Sequence, residues 1–175
     1  LLSSIILIPI VFFFIIKGSS FFVVFLSVIF FATSYEWHQM SKKKTYYLPG
    51  FIFLLISFIS AYLFRSTWNV YEFLILIIIC MFTDIGGYIF GKLFNGPKLT
   101  KISPNKTYVG VFGGFMLSII AYSLFVRNLD VITFISYNGT ITFDIFYVLT
   151  VSLISQLGDL TISYFKRKSK IKNTG

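Results

Sequence analysis

Charge is scarce in this sequence. Lys, Arg, Asp and Glu make up 12% of its 175 residues, about half the share of an ordinary soluble domain. Beside 57% hydrophobic residues, that shortage excludes a soluble globular domain, a disordered tail and a collagenous or coiled-coil rod. Cysteine and histidine are nearly missing. With Cys80 and His38 as single copies, no intrachain disulfide can form and zinc sites of the Cys/His type are ruled out. No Gly-x-x-x-x-Gly-Lys-Ser/Thr loop occurs, so phosphate is not bound by a Walker motif. Low-complexity segments and internal repeats are also lacking.

Apolar sequence is what the chain has in length, with a mean hydropathy of +0.86. The tracts are Leu1–Ile16, Phe21–Ser34, Leu48–Phe64, Val70–Phe94, Val109–Val126 and Phe143–Phe165, separated by short polar breaks. A membrane span takes about 20 apolar residues. The first two tracts are short, and a tight hairpin drawing on flanking residues is expected for them. The expected fold is all-α: a polytopic integral membrane bundle of about six transmembrane helices, forming a single membrane domain over residues 1–175. Leu1–Ile16 has neither a basic start nor a small-residue cleavage site, so it reads as a retained helix, with a few residues expected ahead of Leu1.

The net charge of +9 would suit nucleic acid, but its placement points to a bilayer. With the N-terminus inside, 12 of the 15 basic residues fall on the inner side, and only Lys17, Arg65 and Arg127 lie outside. That bias follows the positive-inside rule, with both ends cytoplasmic. Attraction to anionic headgroups accounts for most of these charges, Lys42–Lys44 among them. Trp37, Trp68 and the tyrosines read as interfacial anchors, and His38 as a residue of a polar loop.

Two carboxylates are expensive where they stand. Asp84 and Asp159 each lie in the cytoplasmic half of an apolar tract, where a charge costs roughly 2.5–3.5 kcal/mol on insertion scales. Such residues usually face a polar cavity; the structural alternative is a pair with a lysine or a backbone group. Asp84, Gly87 and Gly91 share a helical stripe, and the two glycines permit close helix approach. Asp159, Ser163, Lys166 and Arg167 also share a face, so that a divalent metal at one end and phosphate oxygens at the other are the natural ligands. A third feature is Ser103-Pro104-Asn105-Lys106-Thr107-Tyr108. Ser103 before Pro104 reads as an N-cap with proline at the first helical position, a ready anion site. Lys106 and Thr107 add a charge and a hydroxyl, and Gly110, Gly113 and Gly114 suit close packing. The simplest chemistry for this set is phosphoryl or nucleotidyl transfer at the membrane surface.

At these residues the chain resembles the phosphatidate cytidylyltransferase family. The resemblance is ordered along most of the chain: Tyr35-Glu36-Trp37; Asp84-Ile85-Gly86-Gly87-Tyr88-Ile89-Phe90-Gly91-Lys92; Ser103 through Gly110; and Gln156-Leu157-Gly158-Asp159-Leu160 followed by Ser163, Lys166, Arg167 and Lys172. The last segment is the most specific. Val109, Tyr108 and Asn173 stand where the family often has Glu, Trp and Asp. The second half of its C-terminal signature, with further acidic residues, would follow Gly175.

The resemblance implies an enzyme that makes CDP-diacylglycerol and pyrophosphate from CTP and phosphatidic acid in a bacterial inner membrane, with its active side cytoplasmic. It implies Asp159, Lys166 and Arg167 as catalytic residues, and Ser103, Lys106, Thr107, Ser163 and Lys172 as substrate-binding residues. Asp159 and then Asp84 would hold Mg2+, with a second cation left open. The partners implied are CTP, phosphatidic acid and the lipid bilayer, without nucleic acid; a homodimer is left open. These 175 residues alone are expected to be inactive. The alternatives are an ion-coupled transporter with Asp84 and Asp159 as cation sites, and a CTP-dependent lipid-alcohol kinase.

Overall fold

Each long apolar tract must satisfy its own backbone hydrogen bonds in lipid, which a helix does. The computed structural model describes residues 2–42, 44–94, 96–100, 103, 106–128 and 141–169, and the tracts within them are helical. The helices are α1 (Leu2–Lys17), α2 (Ser19–Ser41), α3 (Tyr47–Thr67), α4 (Val70–Phe94), α5 (Tyr108–Asn128) and α6 (Ile141–Lys168). The chain is an all-α integral membrane protein: 5 of these helices are long and apolar enough to cross a bilayer, and α1 is shorter. Basic residues close several of them, Arg65 on α3, Lys92 on α4 and Lys166–Lys168 on α6, where a cation opposes the negative end of the helix dipole. Pro49 is tolerated in the first turn of α3, where its missing N–H has no intrahelical acceptor.

The described residues fall into two compact units, residues 2–74 and residues 75–169. In the first, α1 turns into α2 at Gly18, whose φ of 61° favours glycine. Arg65 holds the end of α1, its Nε donating to the Ile15 carbonyl at 3.0 Å. The α2–α3 hairpin packs Phe30 edge-on against Phe58, with centroids 5.2 Å apart. Two expectations are corrected here. Helix α2 runs through Tyr35, Glu36 and His38 to Ser41, so these residues form no polar loop. Trp37 is buried rather than interfacial: its Nε1 donates to the Tyr47 carbonyl at 3.0 Å, and a Cβ at Gly50 would overlap its ring. The missing side chain at Gly50 is the socket that draws the indole inward.

In the second unit, Ile75 and Ile79 of α4, Tyr122 of α5 and Val148 of α6 form the apolar core. Lipid is as apolar as these side chains, so close packing and interhelical hydrogen bonds must hold the helices together. A glycine seam joins α4 to α5. A Cβ at Gly86 would stand 2.5 Å from the Gly113 carbonyl oxygen, and one at Gly110 would stand 2.7 Å from that of Gly87. A hydroxyl pair joins α4 to α6: Thr83 Oγ1 and Ser152 Oγ are 2.8 Å apart, both buried. Such a pair contributes roughly 0.6–2 kcal/mol in a membrane.

Candidate active site

The glycine seam and the hydroxyl pair fix α4, α5 and α6 around a cavity of about 420 Å³. Helix α4 supplies Thr83, Asp84, Gly87 and Tyr88 to its wall, and α6 supplies Gln156 and Asp159. The segment before α5 contributes Ser103, Lys106 and Thr107, and α5 itself Gly110 and Val111. Two carboxylates 75 positions apart in sequence, Asp84 and Asp159, thus line one cavity. Lys106 joins them on that cavity and pairs with one: its Nζ is 3.0 Å from Asp159 Oδ2 and donates to the Gln156 carbonyl at 3.5 Å.

The segment before α5 is pinned by backbone bonds. The Leu99 amide donates to the Lys106 carbonyl at 2.8 Å and the Tyr108 amide to the Pro97 carbonyl at 3.1 Å, closing an antiparallel bridge between Lys98 and Thr107. The Lys106 amide donates to the Ser103 carbonyl at 3.1 Å. This corrects the expected cap. Helix α5 starts at Tyr108, and Thr107 caps it: its Oγ1 accepts the Gly110 amide at 3.0 Å. Ser103 lies ahead of the helix, and its own amide donates to Thr100 Oγ1 at 3.1 Å. The helix start is also less open to an anion than expected, because the Tyr108 and Gly110 amides are already taken.

Of the residues singled out in the sequence, Asp84, Ser103, Lys106, Thr107 and Asp159 line the cavity together, whereas Ser163, Lys166 and Arg167 do not. Asp159, Ser163, Lys166 and Arg167 all lie on α6, but only the first of them lines the cavity. Lys172 falls outside the described residues. Gln156 was not marked by its residue type. Its Nε2 is buried with no hydrogen-bond partner among the described residues. A glutamine just past the middle of an apolar tract, two residues before Gly158-Asp159, was the available signal.

The donor set can be tested for a divalent metal. Among the described residues no three His, Cys, Asp or Glu side chains gather, so a closed protein cage is not formed. Two carboxylates on one cavity with hydroxyls nearby suit magnesium, which takes one or two carboxylates, waters and substrate phosphates.

A family model described as the cytidylyltransferase family matches residues 52–175, which include every cavity residue. The chain belongs to the cytidylyltransferase family. Proteins named phosphatidate cytidylyltransferase are similar to it. That of Rickettsia bellii is 32% identical over 180 residues, covering 100% of this chain and 77% of the relative. That of Rickettsia felis is 32% identical over 181 residues, covering 100% of this chain and 78% of the relative. That of Staphylococcus aureus strain COL is 38% identical over 99 residues, 56% of this chain and 36% of the relative. No solved structure matches the chain.

Proposed function

We propose that this member of the cytidylyltransferase family makes CDP-diacylglycerol and pyrophosphate from CTP and phosphatidic acid at the cytoplasmic face of a bacterial inner membrane. The observation that carries the reading is the joining of Asp84, Lys106 and Asp159 in one cavity within the family-matched segment. In the reaction a phosphatidate oxygen bonds to the α-phosphorus of CTP, the bond to the β-phosphate oxygen breaks, and pyrophosphate leaves. No protein nucleophile is required. Lys106, its backbone held by the bonds to Leu99 and Ser103, neutralises phosphate oxygens, and the hydroxyls of Ser103 and Thr107 offer hydrogen bonds beside it. Asp159, with Asp84, would hold magnesium, which when bound screens the triphosphate and stabilises the leaving group. Ser163, Lys166 and Arg167 follow Asp159 toward the basic end of α6, and Lys172 follows them in the sequence; these residues would attract the anionic headgroup of the lipid substrate. The cytoplasmic side is supported by the 12 inner basic residues, Lys106 among them.

The test is phosphatidic-acid-dependent conversion of radiolabelled CTP into lipid-soluble product, in membranes lacking other such activity and carrying the protein as its gene encodes it. Product that requires phosphatidic acid, and is lost on Lys106→Met, is expected. Phosphorylation of a lipid alcohol by CTP, with no cytidylyl lipid formed, would replace this reading with a kinase.

A further inference from the structure

A second polar site lies in the other unit and shares no lining residue with the catalytic cavity. At the Arg65 end of the α2–α3 hairpin a cavity of about 550 Å³ is lined by the polar side chains Arg65, Ser19, Ser20 and Ser66 together with Phe22, Val24 and other apolar side chains. Val23 and Tyr62 belong equally to a second, apolar cavity of about 290 Å³ that continues along the hairpin past Leu26, Phe30 and Ile59. The two are therefore one amphipathic site, with a cation and hydroxyls at its head and a hydrocarbon groove behind.

Arg65 spends one donor on its own protein, Nε on the Ile15 carbonyl, and has no carboxylate partner among the described residues. Its terminal nitrogens are held beside the turn: a Cβ at Gly18 would lie 2.6 Å from Nη2. The hydroxyls of Ser19 and Ser20 stand exposed on the first turn of α2. A guanidinium fixed at one nitrogen and free at its fork matches a phosphate oxygen pair. The groove behind is lined by side chains that stay exposed, Ile59 at 56% and Phe31 at 71%, and it accepts an acyl chain by dispersion contact.

We propose that the α2–α3 hairpin holds one anionic phospholipid, its phosphate on Arg65 and an acyl chain in the groove between the helices. In the topology given above this lipid belongs to the outer leaflet. It ties the end of α1, the start of α2 and the end of α3 together, as a structural ligand. The proposal does not depend on the reaction assigned to the other unit.

Native mass spectrometry of the delipidated chain in non-ionic detergent tests it, with phosphatidylglycerol, phosphatidylcholine of the same acyl chains, and inorganic phosphate as probes. One phosphatidylglycerol should be retained about tenfold better than phosphatidylcholine, the scale of one charge-assisted contact. Arg65→Gln keeps a donor for Ile15 and should erase that preference, while Arg65→Lys should keep most of it. Ser27→Phe fills the groove and should weaken both lipids alike, with the Arg65 end untouched. Inorganic phosphate should give no adduct. Equal retention of the two lipids, a preference that survives Arg65→Gln, or displacement of lipid by equimolar phosphate would overturn the site. Should Arg65→Gln lose helix content by circular dichroism, Ser27→Phe decides, and undiminished retention in that variant refutes the proposal.

Discussion

A methyl group added at Gly110 tests whether the glycine seam holds the second unit together. The new Cβ would stand 2.7 Å from the Gly87 carbonyl oxygen, 3.1 Å from Thr107 Oγ1 and 3.4 Å from Gly91 Cα. Ordinary contact begins near 3.4 Å, and a backbone carbonyl in a helix cannot turn aside, so α4 and α5 must separate. Overpacking of this kind costs about 1–3 kcal/mol. Alanine returns roughly 0.4–1 kcal/mol through its helix preference and a less free unfolded chain. Gly110→Ala should therefore be destabilising by about 1–2 kcal/mol. Gly87→Ala, on the facing helix, meets only the Gly110 carbonyl at 3.7 Å, and a Cβ at Gly158 meets nothing within 4 Å. Both should be neutral or slightly stabilising. Reversible unfolding in mixed micelles of mild and denaturing detergent, followed by circular dichroism, reads all three on one scale. If Gly110→Ala proves as stable as Gly87→Ala, the carbonyl contact does not limit the approach of the helices, and the reasoning fails.

Asp159→Asn should change stability by less than about 1 kcal/mol, since the carboxylate is 52% exposed and its pair with Lys106 is screened. Turnover in the same variant should drop on the order of 100-fold, and retained turnover at saturating magnesium would end the metal-ligand assignment. Asp84→Asn should also impair turnover. Thr107→Ala should cost about 1 kcal/mol as the loss of a cap, whereas Ser103→Ala should stay within about 0.5 kcal/mol; equal costs in the unfolding assay would restore Ser103 as a cap. In a Cys80→Ala background, a cysteine at Lys44 should be protected from an impermeant thiol reagent added outside and one at Asn138 should react. Labelling at position 44 from outside would sink the topology.

The apolar tracts announced the helices, because a span needs little more than length and hydrophobicity to be visible. The glycines of α4 and α5 were readable as a close-packing stripe for the same reason: spacing along one helix is local information. What each glycine meets is not local. Thr107 caps α5 instead of Ser103 because the Lys98–Thr107 bridge settles where the helix can begin, and that bridge rests on backbone partners at Pro97 and Leu99. Trp37 was misplaced at the lipid interface because its socket, Gly50, lies on the next helix. Among the charged residues, Asp84 and Asp159 stood out by the cost of placing them in lipid. Lys106 was visible as a cation near a helix start, but its contact with Asp159 was not. Gln156 carries no charge and did not stand out by cost; it entered only as the first residue of the segment ending at Leu160, with no role attached.

The Lys106–Asp159 contact also makes the cavity a coupled system. While the two side chains hold each other, a phosphate group approaching Lys106 must compete with a carboxylate, and a cation approaching Asp159 must compete with an ammonium. Whichever arrives first releases the partner that the other requires. Reciprocity then demands that each ligand raise the affinity for the other by the same factor. A nucleotide that carries its own cation satisfies both side chains in one event, and the free nucleotide or the free cation satisfies only one. On the proposed function, the pair would therefore favour the complexed form of the substrate over either component alone.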